Sequence, residues 1–182
     1  MIDQELDRRF RAAALREGIV DVRYDVIDSP VGELAIAATD AGLCRISYGV
    51  DGFDEELSRV FGVRVLRSPI VEVERELDEY FEGARREFDL PLDLRVAPFH
   101  EQVLDALGRV PFGVTTTYGT LAREVGRPKA ARAVGTIMNR NPIPIVLPCH
   151  RVIGANGSLT GYAGGLDRKR LLLRLEGVTP SE

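Results

Sequence analysis

A cysteine, a histidine and an arginine stand side by side at Cys149-His150-Arg151, after the mostly apolar run Pro142-Ile143-Pro144-Ile145-Val146-Leu147-Pro148. A cysteine in such a place has what a nucleophile needs, because the thiolate is the reactive form and neighbouring basic groups favour it. The other cysteine, Cys44, lies between Leu43 and Arg45 in a strand-like run and reads as a small apolar filler. Consecutive side chains of extended backbone point apart, so a water bridge from Cys149 to His150 is favoured over a direct bond. A histidine acting as a base also needs a partner for its second ring nitrogen. Glu176, just before Gly177, closes the helix expected over 167–176, where a negative charge is unfavourable by about 0.3 to 1 kcal/mol. Two readings of it stay open: an orienter of His150 in a nucleophile, base and orienter relay, or a solvated surface acid.

Several elements must position these groups. Residues 3–16 read as an amphipathic helix with Leu6, Phe10 and Ala13 on one side. Val20, Val22, Tyr24 and Val26 then alternate with Asp21, Arg23 and Asp25, the period of a strand with one buried face. Ser29-Pro30-Val31-Gly32 and Asp40-Ala41-Gly42 punctuate two more strands, over 34–38 and 43–47, which predicts an antiparallel meander. Helices follow over 54–61 and 70–81, the second with Ile70, Val73, Leu77 and Phe81 on one stripe, so this part is α+β. Beyond Pro98 the pattern turns helical with Phe99, Val103, Ala106 and Leu107. Thr117 is placed to cap a short helix, Gly126 to form its left-handed exit and Pro128 to open the next helix after a three-residue turn. In that second helix Ala130, Ala133, Val134 and Ile137 form an apolar stripe, leaving Lys129, Arg132, Gly135, Thr136 and Asn139 on a small, basic outer face. The pattern fits equally the recognition helix of a helix-turn-helix unit and a plain helical hairpin with a solvated face.

Composition bounds the rest. The chain has 182 residues, 45% of them hydrophobic, with a formal charge of −4. No apolar run approaches the ~20 residues that cross a bilayer, and the acidic N-terminus resembles neither a secretory signal nor a transit peptide, so a cytoplasmic location is expected. Two cysteines and two histidines support neither a disulfide framework nor a four-ligand zinc site. The charge is uneven. Residues 1–97 carry 13 basic and 22 acidic side chains, a net of −9, whereas 98–182 carry 11 and 6, a net of +5. Such asymmetry suits a polyanionic partner at one end.

Pro148-Cys149-His150-Arg151-Val152, preceded by Arg132-Ala133-Val134-Gly135 and Asn141-Pro142-Ile143-Pro144 and followed by Gly161-Tyr162-Ala163-Gly164-Gly165-Leu166, resembles the methylated-DNA-protein-cysteine methyltransferases. The likeness is strong over 99–177 and weaker over 28–48 and the helices after it. It implies an α+β chain with an N-terminal ribonuclease-H-like domain bearing an antiparallel sheet, 1–97, and a C-terminal winged helix-turn-helix domain, 98–182. It further implies direct-reversal DNA repair, in which O6-alkylguanine is flipped from duplex DNA and its alkyl group passes irreversibly to Cys149. His150 and Glu176 would complete the relay, and Tyr118 would protonate the departing guanine at N3 and help turn its phosphate. Arg132 would be the finger that replaces the flipped nucleotide, with Lys129, Ala131, Gly135 and Thr136 also against DNA. Asn141 would hold the active-site turn, while Met138, Val152, Tyr162 and Ala163 would shape the pocket. The resemblance implies no metal or cofactor and duplex DNA as partner, with O4-alkylthymine a further candidate substrate; a monomer is the default expectation.

The chain departs from the family at His100 and Leu104, where many relatives carry Gln and Trp; both read as packing positions. It lacks the residues for the N-terminal zinc of some relatives, and the helix before Asp21 has no family counterpart. Two competing readings are a noncatalytic damage-recognition protein, whose relatives replace the cysteine, and a cysteine hydrolase, which explains neither Arg132 nor the basic helix pair.

Overall fold

Turn glycines cut the first hydrophobic stretch into three strands, β1 (Val22–Ile27), β2 (Leu34–Thr39) and β3 (Gly42–Tyr48). They pair as the expected antiparallel meander. The computed structural model describes residues 9, 13–14, 16–62 and 64–179, so most of the helix expected over 3–16 lies outside the described residues. After α1 (Phe53–Phe61), a three-residue strand not evident from the sequence, β4 (Val65–Arg67), joins β1 in parallel and gives the order β3-β2-β1-β4. The central strand β2 is buried along its whole length. Its Ala35 and Ala37 pack with Phe53 and Leu57 of α1, while Leu34, Ile36 and Ala38 face a second and larger core.

That larger core spans both halves of the chain. Leu77 and Tyr80 of α2 (Val71–Phe81) meet Leu104 and Leu107 of α3 (Pro98–Gly108) and Leu172 of α6 (Leu166–Leu175). The open edge of β3 is covered twice. Leu43 N donates to Pro91 O (2.8 Å) and Asp93 N to Leu43 O (2.9 Å), so the linker lies along it; Ile46 N donates to Pro142 O (2.9 Å), so the segment leading to Cys149 does too. A Cβ on Gly42 would fall 2.2 Å from Pro91 O, which is why the linker needs glycine there.

In the C-terminal half, β5 (Thr116–Thr117) leads into α4 (Tyr118–Glu124), whose N-terminus is capped by Thr117 Oγ1 accepting from Thr120 N at 3.1 Å. Gly126 takes the expected left-handed exit at φ 71°. The connection to α5 (Ala131–Asn139) is longer than the three residues expected, however, and Pro128 lies within it rather than in the first turn of the helix. Arg127 precedes a proline and is disfavoured from helix, and the Ala130 N to Arg127 O bond closes a separate turn before α5 begins. The apolar stripe is also rotated: Val134, Ile137 and Met138 are buried, and Ala133 is exposed beside Arg132 and Thr136. A 3-10 turn (Cys149–Arg151) and β6 (Val152–Ile153), parallel to β5, precede α6. Among the described residues no helix is long and apolar enough to cross a membrane.

Because one core serves both halves, Ile36→Ala should cost about 2 to 5 kcal/mol and lower the unfolding midpoint of the whole chain. Urea unfolding followed separately by probes in each half is expected to give coincident curves; two separated transitions would contradict a shared core.

Candidate active site

The segment before Cys149 is held by one side chain. Asn141 Nδ2 donates to Leu147 O (2.7 Å), and its Oδ1 accepts from Ile143 N (3.1 Å). Within this turn Ile145 adopts φ 76°, the one described non-glycine residue with positive φ, and is fully buried. A β-branched residue enters that region only where its surroundings enforce it. The turn delivers Cys149, 4% exposed, to a cavity of about 480 Å³ between β3 and the C-terminal half. Four residues expected at the pocket line this cavity with it, namely Met138, Asn141, Tyr162 and Ala163. Tyr118 and Val152 do not. Val152 is buried and its carbonyl accepts from Lys169 Nζ (2.6 Å); Tyr118 opens α4, its hydroxyl bonded to that of Thr160 (2.9 Å) and its ring beside Gly135 of α5.

Glu176 is no surface acid. It is 5% exposed, and its carboxylate accepts five hydrogen bonds. Oε1 takes Tyr80 Oη (2.8 Å), His150 Nε2 (2.7 Å) and Arg151 Nη2 (2.9 Å); Oε2 takes Arg151 Nε (2.9 Å) and Gly113 N (3.1 Å). Burial alone would raise its pKa, but the His150 and Arg151 hydrogen bonds and charges outweigh it and bring the group to about 2. Burial holds the pKa of His150 below its ordinary value, with the charges of Arg151 and Lys169 acting the same way against Glu176. The imidazole is therefore neutral at pH 7, and because a carboxylate only accepts, its proton sits on Nε2. Nδ1 is buried with no partner among the described residues and carries the free lone pair.

The sulfur corrects the expectation of a thiolate stabilised by its immediate neighbours. Burial pushes the Cys149 thiol up to about 11, against hydrogen bonds from Asn141 and Tyr162 and the charge of Lys169, all of which favour the thiolate. Arg151 does not serve it, because that guanidinium turns to Glu176 and to Val110 O (2.5 Å). His150 makes no hydrogen bond to the sulfur among the described residues, although the backbone there is a 3-10 turn and not the extended segment expected. Lys169, which the sequence did not single out, is fully buried and lowered by burial to about 8. Tyr80 was missed as well. Nothing in its helical spacing distinguishes it from an ordinary core residue. Cys44 is the expected filler, buried with its Sγ donating to Ala37 O (3.3 Å). Leu104 is core, and His100 is half-buried.

On the outer face of α5 and the turn before it, Lys129, Arg132 and Thr136 are exposed, with Ala131 and Gly135 half-buried. The Arg132 guanidinium has no hydrogen bond or ion pair among the described residues, which leaves it able to reach outward.

Two family models match the chain: the ribonuclease-like domain of 6-O-methylguanine DNA methyltransferase over residues 22–94 and the DNA-binding domain of the same family over 98–178. A methylated-DNA–protein-cysteine methyltransferase of Methanosarcina acetivorans is 44% identical over 156 residues, 85% of this chain and 97% of that protein. The constitutive enzyme of that name from Bacillus subtilis is 39% identical over 161 residues, 87% and 98% of the two chains. The crystal structure of Mycobacterium tuberculosis OGT in complex with DNA superposes with a TM-score of 0.76 at 41% identity, covering 87% of this chain and 96% of that one.

The Glu176 carboxyl, near 4.5 when unperturbed and about 2 in the fold, stabilises the protein above pH 4.5, and that stability is lost as pH falls towards 2. Urea unfolding should show a loss on the order of 3 kcal/mol across this window. Glu176→Gln strands the Arg151 charge, so at pH 7 it should be about 3 to 5 kcal/mol less stable than wild type and show a flatter acid dependence. Unchanged acid sensitivity in that variant would place the titrating group elsewhere.

Proposed function

The chain belongs to the O6-methylguanine-DNA methyltransferase family, and on that premise we propose that it repairs duplex DNA by moving an alkyl group from O6 of guanine to Cys149 Sγ. The observation that carries this reading is Cys149 on the wall of a cavity, followed in the chain by a neutral imidazole whose Nε2–H is held by Glu176 and whose Nδ1 is free.

The chemistry follows from those groups. His150 Nδ1 takes the thiol proton through a bridging water, and Glu176 stabilises the imidazolium without giving up its own charge. The thiolate attacks the saturated carbon on O6: the S–C bond forms as the C–O bond breaks, and the bonding pair passes to the purine. Tyr118, positioned by Thr160, supplies the proton that the departing base takes at N3. Lys169 aids ionisation of the sulfur by charge alone, since its ammonium is occupied by Val152 O and Thr160 O (3.0 Å). The target atom is unreachable inside a stacked duplex, so the nucleotide is extruded at a cost of a few kcal/mol, offset by contacts from Arg132 and its neighbours Lys129, Ala131, Gly135 and Thr136. The thioether is not exchanged back, so each molecule acts once.

The chain divides at 97/98, with the acidic N-terminal domain as support and the basic C-terminal domain against DNA. It acts as a cytoplasmic monomer on duplex carrying O6-alkylguanine, and O4-alkylthymine is tested in the same assay.

Incubation with duplex containing O6-methylguanine should add 14 Da, the mass of CH2, to the peptide carrying Cys149, with one methyl per protein at saturation. Methyl on another residue, on none, or repeated turnover would contradict the reading. Arg132→Ala should slow repair of duplex by roughly tenfold to a hundredfold, taking 1 to 3 kcal/mol for the lost contact, with little effect on reaction with free O6-benzylguanine; equal losses would remove the finger role.

A further inference from the structure

Tyr162 shares the cavity wall with the sulfur, and its own hydrogen-bond partner comes from the N-terminal sheet. The Tyr162 hydroxyl lies 2.5 Å from that of Tyr48 at the end of β3, with the two rings 5.9 Å apart, and both tyrosines line the same cavity as Cys149. The Arg168 guanidinium stands 5.0 Å above the Tyr48 ring, held there by Nε donating to Val31 O (2.6 Å) and Nη1 to Gly164 O (3.0 Å). Gly164 is buried against the same ring; a Cβ there would come 2.5 Å from Tyr48 Cε2. A guanidinium and two phenols therefore stand in series on the wall of the cavity that holds the sulfur.

Either hydroxyl of the pair can donate to the other. With a neutral thiol, Tyr162 is free to donate to Tyr48. Once the sulfur is ionised, Tyr162 is drawn to donate to it, and only a reversed bond from Tyr48 then fills the vacated acceptor position on Tyr162. A hydroxyl that accepts a bond is a stronger donor, and the cation over the Tyr48 ring adds to the effect.

We propose that Tyr48 is a positioning residue for alkyl transfer, acting through Tyr162 to stabilise the Cys149 thiolate. This rests on the reading of Cys149 as the acceptor. It makes the N-terminal domain a contributor to reactivity as well as a scaffold. The groups facing the sulfur are Asn141, Tyr162 and Lys169, with His150 next in the chain; those facing the phenols are Arg168 and, beside Tyr162, Tyr80. The Arg45–Glu56 ion pair lines the same cavity.

Iodoacetamide reports the thiolate directly, since the S–C bond forms as iodide leaves, and peptide mapping separates Cys149 from the buried Cys44. Rates measured against pH should give Tyr48→Phe an apparent thiol pKa about half a unit to one unit above wild type, a roughly threefold to tenfold loss at neutral pH that vanishes above the pKa. Tyr162→Phe should shift it further, and the double variant no further than Tyr162→Phe alone, because Tyr48 acts only through Tyr162. A loss independent of pH, no loss, or additive shifts would overturn the proposal. Tyr162→Phe alone with no shift would overturn it too, should Tyr48→Phe not fold. Failure to methylate Cys149 from duplex, with the pKa shifts intact, would instead count against the acceptor reading.

Discussion

A carboxylate taken out of water is tolerated only when donors replace its hydration. Glu176 meets that condition with four donor residues drawn from three places: Tyr80 on α2, Gly113 ahead of β5, and His150 and Arg151 in the 3-10 turn. Each donor fixes an element. The same carboxylate therefore sets the tautomer of His150, keeps Arg151 away from the sulfur, closes the end of α6 and ties the N-terminal helix α2 to the site. The local cost of an acid at a helix C-terminus is offset by bonds that come from elsewhere in the fold.

Placing the sulfur is a separate problem with a separate solution. Asn141 and the strained Ile145 hold a rigid turn, and β3 receives that turn along its edge through the Ile46 to Pro142 bond. The cavity is thus walled by both halves of the chain, and neither half builds it alone. Burial that raises the thiol also protects it, since a neutral sulfur in a closed setting reacts little with adventitious electrophiles. For a protein proposed to act once, a resting thiol shielded in this way is a useful state.

Parts of this were legible in the sequence and parts were not, for physical reasons. Alternation marked β1, because a half-buried strand writes its period into side-chain polarity, whereas β2, buried along its whole length, and β3 were marked by the turns that bound them. β4 has three residues and so no period to read. The helix pair around Gly126 was visible through its cap and exit, but the rotation that exposes Ala133 was not, since alanine is small enough for either face. Cys149 and His150 announced themselves by adjacency. Glu176 showed only a local misfit, and its resolution needed Tyr80, which comes from 96 residues earlier in the chain. Lys169 resembled any basic residue of a surface helix; only the carbonyls of Val152 and Thr160 explain why it is buried.

Deprotonation of Cys149 by His150 depends on which imidazole nitrogen carries the proton, and nitrogen-15 NMR of histidine-labelled protein at neutral pH reads that directly. A neutral ring protonated at Nε2, with Nδ1 bare and a titration midpoint below the ordinary histidine value, is the predicted result. An imidazolium at pH 7, or a neutral ring with its proton on Nδ1, would leave the sulfur without its base and contradict the account.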